Sequence, residues 1–195
     1  WWHHPVDRLW RPSKRFRKYI ADDTTPAFAI DGLAAFGLNS AHGWTIKGGR
    51  IRSRHVAEME AFFAEQPPET FRVLTLHHHL LHLDALGDHD VSRNARAALD
   101  AAQRANVDLV LCGHLHRSHV QLVELPVEAG GRTGLVIASA GTATSSRGRG
   151  SNKGINFYNR VEIEGAAFTV AERQFDPASG GFEEARRTTF ERSLS

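Results

Sequence analysis

Asp108-Leu-Val-Leu-Cys-Gly-His-Leu-His116 is the stretch from which the rest of the chain is read. The apolar run from Val107 to Cys112 stops at Gly113, and two histidines follow at i and i+2. A second run, Phe71 to Leu76, stops in the same way at His77-His78-His79. Continuous apolar runs of this length read as strands covered on both faces. Between them, Ser92 is the expected cap of a helix to about Asn106, with Ala95, Ala98, Leu99 and Ala102 inward. Strand, helix and strand in this spacing read as a right-handed crossover joining two parallel strands. Parallel strands finish at one sheet edge, so His77, His114 and His116 are expected side by side there. That carboxyl edge is where open α/β sheets bind ligands.

Working outward, Ala27 to Asp31 and Leu33 to Asn39 are short apolar runs split by Asp31-Gly32, a hairpin signal. Gly37-Leu-Asn-Ser40 closes the second run in a polar turn, and Gly48-Gly49 is a loop. Ser53 is the expected cap of a helix from about Arg54 to Glu65, which Gln66-Pro67-Pro68 stops. Val56, Met59, Phe62 and Phe63 share one face of it, a stripe that reads as core packing. Residues 1–20 mix Arg8, Arg11, Lys14, Arg15, Arg17 and Lys18 with bulky apolar residues. They read as a solvated basic face on a short helix after Pro12, packed by its aromatics, or else as a phosphate or membrane-surface patch.

From His119 onward, Val120 to Leu125, Gly134 to Ala138, Ile155 to Ile163 and Ala167 to Arg173 read as strands without long helices. This half is expected to be antiparallel. Gly141 to Gly150 is small, polar and basic. Arg147 and Arg149 make it a candidate phosphate-binding loop, with a plain flexible loop as the equal alternative.

Composition sets bounds on function. The chain has 195 residues, 41% of them hydrophobic, which suits a single domain with a buried core. A net charge of +2 gives no case for a nucleic-acid polymer as partner. Cys112 is the only cysteine, so a disulfide framework is excluded, and a reducing, cytoplasmic location is expected. No apolar run approaches the ~18 residues of a membrane span. The only methionine is Met59, and the start at Trp1-Trp2-His3-His4-Pro5 reads as that of a processed chain or fragment.

Eight of the twelve histidines lie between residues 77 and 119, a concentration that favours a metal cluster over scattered surface histidines. In an extended segment, His114 and His116 would point to one face. On a helix they would diverge by about 200°. The cysteine-rich and H-x3-5-H patterns of structural zinc are absent, as are an H-E-x-x-H helix and a G-x-S-x-G elbow.

These motifs resemble the calcineurin-like metallophosphoesterases. Leu76-His77-His78-His79 is similar to the family's H-H-P-like segment, and Gly113-His114-Leu115-His116 to its G-H-x-H. Gly37-Leu-Asn-Ser40, Lys47-Gly48-Gly49-Arg50, His114-Leu-His-Arg-Ser118 and Ala140-Gly-Thr-Ala-Thr144 resemble the cyclic-nucleotide phosphodiesterase branch. The resemblance implies an α/β fold, a four-layer α-β-β-α sandwich with mixed sheets, here partial. It implies two divalent ions (Mn, Fe or Zn) and in-line attack on a small phosphoester by a bridging hydroxide. His77 would be shared with the second metal of the pair, with His78 as the alternative in register. His114 would bind the second metal and His116 the first.

The family's early motifs, D-x-H, G-D-x-x-D and G-N-H-[DE], do not occur. They carry the bridging carboxylate and the general acid, so no catalytic acid is assigned within the chain. Asp84, Asp88 and Asp90 are poor substitutes on a local loop. The expectation is therefore a single domain truncated at its N-terminus. The parent would be a phosphodiesterase, and the chain alone would be inactive, poorly soluble and at most a weak metal-binding module.

Overall fold

The computed structural model describes residues 13–41, 48–126, 134–148 and 150–192. A helix α1 (Lys14–Tyr19) precedes a hairpin, β1 (Ala27–Ile30) and β2 (Leu33–Gly37). Its turn is the expected Asp31-Gly32, where Gly32 takes a φ of +74° that a side chain would resist. There follow α2 (Ser53–Ala64), β3 (Phe71–Thr75), α3 (Ala95–Arg104), β4 (Leu109–Cys112), β5 (His119–Glu124) and β6 (Gly134–Ser139). The chain closes with β7 (Phe157–Glu164), β8 (Ala167–Asp176) and β9 (Gly181–Glu191). One sheet runs β1-β2-β3-β4-β6-β5, and a second runs β7-β8-β9.

Strands β2, β3, β4 and β6 are mutually parallel, with β1 and β5 antiparallel at the two edges. The expected β3–α3–β4 crossover is thus present. The expectation of an antiparallel second half needs correction at β6, which joins the parallel centre of the first sheet beside β4. Its apolar run is buried on both faces, as a central parallel strand requires, but burial does not encode which neighbour it takes.

Strand periodicity divides the core. Leu74 and Val110 point to the side of α2 and α3, where they join Phe36, Met59, Phe63, Ala98, Leu99 and Ile137. Phe71, Val73, Leu109 and Val136 point to the other side and pack on Phe168 and Val170 of β8. Phe71 meets Phe168 edge-on at 4.9 Å, worth about 0.5–1.5 kcal/mol beyond area burial. The architecture is α/β with mixed sheets, in three layers among the described residues: helices, first sheet, second sheet. The outer helical layer of a four-layer sandwich is not present among them.

Neither helix begins as expected. Ser53 is the first helical residue of α2 and Arg52 occupies the cap, with no side-chain hydrogen bond. Asn94, in left-handed conformation, occupies the cap of α3, and the buried Ser92 hydroxyl has no hydrogen-bond partner. Helix α1 follows Pro12 as expected, but its own aromatics, Phe16 and Tyr19, are exposed, and Trp10 lies outside the described residues. The basic residues Arg8 and Arg11 lie outside the described residues.

Candidate metal centre

The ladder between β3 and β4 continues past both strands. The Leu76 amide donates to the Leu111 carbonyl at 3.0 Å, and the Gly113 amide to the His77 carbonyl at 3.1 Å. The last bond ties the two histidine-bearing segments together across the sheet edge. His114 Nδ1 and His77 Nε2 then approach to 3.2 Å. The ring of His78 lies 4.6 Å from that of His114 and 4.8 Å from that of His77, centre to centre. One ring nitrogen from each of His77, His78 and His114 falls within 4.8 Å of the others. Among the described residues no carboxylate joins this cluster. Asp84, Asp88 and Asp90 are not members of it, and Asp108 is at the opposite end of β4.

The turn that presents His114 differs from the extended segment expected. The Leu115 amide donates back to the Gly113 carbonyl at 2.8 Å, closing a tight three-residue turn around His114. His114 has φ +68° and His116 φ +56°, both in the left-handed region where non-glycine residues are strained. The i, i+2 argument for His114 and His116 therefore does not apply, because it assumes alternating extended backbone. Gly113 is also not the residue that needs glycine's freedom, since a Cβ there would meet His77 only at ordinary contact distance, 3.9 Å. Strain of this kind, of order 1–3 kcal/mol, collects at functional sites.

His78 is positioned by two residues from the β2 side. The Ser40 hydroxyl lies 2.9 Å from His78 Nδ1, and the His78 amide donates to the same hydroxyl at 3.3 Å. This arrangement orients the ring and leaves Nε2 toward the cluster, as metal-ligating histidines are held by their other nitrogen. Gly49 closes over the ring. A Cβ at Gly49 would come within 2.5 Å of His78 Nδ1 and 2.4 Å of the Ser40 carbonyl. Sequence reading found the Gly37–Ser40 turn and the Gly48-Gly49 loop but not their shared contact with His78, because the partners are 38 residues apart.

Burial depresses the imidazoles of His77 and His78. Desolvation first, then the neighbouring rings of His77, His114 and His79, takes His78 down to about 4. His77 is lowered by burial and then by the His116 ring. At neutral pH both present a neutral nitrogen lone pair. Two ligands at the ~2.1 Å bond length of zinc and a tetrahedral angle stand about 3.4 Å apart, close to the 3.2 Å between His77 and His114. The donor set therefore fits a divalent ion of the imidazole-accepting kind.

The remaining candidates fall as follows. His116 is close enough to depress His77, but it is not one of the three clustered rings. His79 faces inward instead, 1% exposed, with its Nδ1 3.5 Å from Cys112 Sγ. The Cys112 thiol is pushed up to about 12 by burial and is no nucleophile. Arg147 is exposed in a loop that uses two of its amides within itself. The Ser145 amide bonds the Thr142 hydroxyl, and the Arg147 amide the Ser145 hydroxyl. Arg149 lies outside the described residues.

Neither the family models nor the curated proteins contain a match to this sequence. Solved structures do match. Purple acid phosphatase PPD1 from yellow lupin (Lupinus luteus) seeds superposes with a TM-score of 0.62 at 12% identity, over 86% of this chain and 32% of that one. Zinc-complexed Vps29 from Entamoeba histolytica gives 0.31 at 19% identity, covering 55% of this chain and 48% of that one. The calcineurin-like phosphoesterase YfkN from Bacillus subtilis gives 0.35 at 12%, covering 83% and 45%. The last two scores are too low to weigh. The chain spans about a third of the length of the phosphatase it superposes on. The α/β, mixed-sheet architecture that carries the three-histidine cluster is the fold this chain shares with that phosphatase.

Proposed function

We propose that this chain supplies the histidine side of a metal centre that hydrolyses phosphoesters, small phosphodiesters being the class to test first. The observation that carries the reading is the convergence of His77, His78 and His114 at the carboxyl edge of two adjacent parallel strands. His116, on the same turn, completes the imidazole supply. The carboxylate ligands and the general acid lie, in this reading, outside the described residues.

Held by His77, His78 and His114, a divalent ion would supply Lewis-acid polarisation of a phosphoryl oxygen. The chain's own part is orientation. The Gly113–His77 bond fixes the separation of the two ends, Ser40 and Gly49 fix the His78 ring, and burial keeps His77 and His78 neutral. A non-catalytic metal-binding module is the second reading. It is favoured by the lack of a carboxylate in the cluster among the described residues.

Hydrolysis of bis(p-nitrophenyl) phosphate and of 3′,5′-cyclic AMP with added Mn²⁺ separates the two. Turnover by the chain that His114→Ala abolishes supports the hydrolase with its own carboxylates. Metal binding without turnover supports the second reading for this chain alone. Turnover unaffected by His114→Ala would remove the cluster from the chemistry.

A further inference from the structure

Two adjoining cavities are walled by arginines. One, of about 440 Å³, is lined among others by Arg17, Arg52 and Arg54. The other, of about 670 Å³, is lined among others by Arg50, Arg52 and Arg93. Both have the size of a small-molecule site, and Arg52 belongs to both. All five arginines are exposed, so a solute can reach them. Among the described residues no carboxylate lines either cavity, and none of the five forms an ion pair. Glu58 is one turn further along α2, and the Asp90 Cβ lies 3.2 Å from where a Gly48 side chain would begin, but neither is in a wall.

The backbone holds these cations together against their repulsion. Arg50 and Arg93 form a parallel bridge, in which the Ile51 amide donates to the Arg93 carbonyl at 3.0 Å and the Arg93 amide to the Gly49 carbonyl at 2.7 Å. Two like charges thus stand on neighbouring backbone. The bridge also joins the starts of α2 and α3. A helix start carries partial positive charge from its unpaired amides, which favours acids there and disfavours cations. Neither helix has an acid in its first turn, and neither cap side chain bonds an amide of its own helix. Arg52 and Arg54 stand at the start of α2 instead, and Arg93 just before that of α3. Local charge choices that all oppose folding at one place mark a functional site.

An anion relieves every one of these repulsions, and guanidinium forks pair with phosphate oxygens two at a time. The spread of the arginines selects the kind of anion. A single phosphate group meets the arginines of one cavity only. A chain of phosphates reaches from Arg17 and Arg54 past Arg52 to Arg50 and Arg93. No Phe, Tyr or Trp lines either cavity among the described residues, so nucleic-acid bases have no stacking platform there. A flat lipid surface does not enter concave walls. We propose that the two cavities together bind a linear oligophosphate. The site uses none of the three clustered histidines and does not rest on the hydrolase reading.

Calorimetric titration of the metal-free chain with phosphate, pyrophosphate and tripolyphosphate at physiological salt tests this. Affinity is expected to rise along the series, by at least about tenfold from first to last, the worth of one hydrogen bond between charged groups. Arg52→Gln, in both walls, is expected to weaken tripolyphosphate binding about tenfold, and Arg54→Gln and Arg93→Gln, one from each cavity, by similar factors. Arg15→Gln, an exposed cation of α1 in neither wall, is expected to change nothing. Taking a cation from a helix start is expected to leave the thermal midpoint unchanged or higher, so lost binding is not lost folding. ATP separates the sources: binding as tight as that of tripolyphosphate supports a nucleotide as carrier of the phosphate chain, and weaker binding supports the free anion. Equal affinity for the three anions, no binding by any, or an equal loss in Arg15→Gln would overturn the proposal. So would cosedimentation with phosphatidylserine vesicles in the absence of tripolyphosphate binding.

Discussion

At the scale of single residues, the cluster depends on backbone conformations and close contacts that cost stability. His114 supplies a ring nitrogen from a left-handed turn, a position where glycine is easier and a Cβ is penalised by about 1–2 kcal/mol. The variants His114→Gly and His114→Ala both lose that nitrogen, but the glycine variant is expected to be the more stable, by about 1 kcal/mol in urea denaturation. Equal midpoints would show that the turn is unstrained. Gly49→Ala places a methyl against both His78 and the Ser40 carbonyl. It is expected to cost about 1–3 kcal/mol and to weaken metal binding together with stability. Ser40→Ala removes only the hydroxyl that orients His78, so metal affinity is expected to fall about 10–100-fold with little loss of stability.

Residue types were the legible part of the site. A histidine at the end of an apolar run is visible in any reading of Phe71–His79 or Asp108–His116. What held those rings was not visible, because Ser40 and Gly49 act across long sequence separations. The caps were misplaced for a related reason. Ser53 and Ser92 have the right chemistry, yet Arg52 and Asn94 hold the positions, where backbone geometry outweighs side-chain preference.

At the scale of elements, the two sheets are joined at the edge opposite the histidines by a buried ion pair. Asp108 accepts from Arg192 Nε at 3.1 Å and from the Arg72 amide at 2.8 Å, and the Asp108 side chain is fully buried. Arg192 follows β9, also donates to the Thr70 carbonyl at 3.1 Å, and lies over the Phe71 ring. Removing one partner leaves a buried charge uncompensated. Asp108→Ala is therefore expected to destabilise by about 3–5 kcal/mol, while the variant that remains folded keeps its metal affinity. A loss under 1 kcal/mol would mean that the apolar packing of Phe71, Val73, Leu109 and Val136 on β8 holds the sheets without help from the ion pair. The strand–helix–strand unit of residues 71–112 was readable because each element has an unambiguous period. The place of β6 was not, since an apolar run specifies burial and not its neighbour.

For the whole molecule, edges and titration set the behaviour. All four residues of β1 are exposed, with Phe28 and Ile30 each more than half so, on a sheet edge that no other described strand covers. Such an edge favours self-association. Ile30→Lys is expected to raise the soluble, monomeric fraction in gel filtration; a monodisperse parent chain would remove the need for it. Stability should also fall with acidity. His78 and His79 stay neutral in the fold down to about 4, whereas the unfolded chain protonates them near 6.5. Above pH 6.5 neither state is protonated and these groups contribute nothing. Between pH 6.5 and 4 the unfolded state binds protons that the folded state refuses, so the thermal midpoint is expected to drop across that window and level off below it. A flat profile there would mean that the two rings are hydrated.

The central claim, that His77, His78 and His114 form a cation site, is tested most directly by calorimetric titration of the chain with Zn²⁺ at pH 7, beside His114→Ala. The expected result is a saturable site in the wild-type chain whose affinity falls more than about 100-fold in the variant, a ligand counting for more than its support. Binding of equal strength in both, or no binding by the wild-type chain, would contradict the claim.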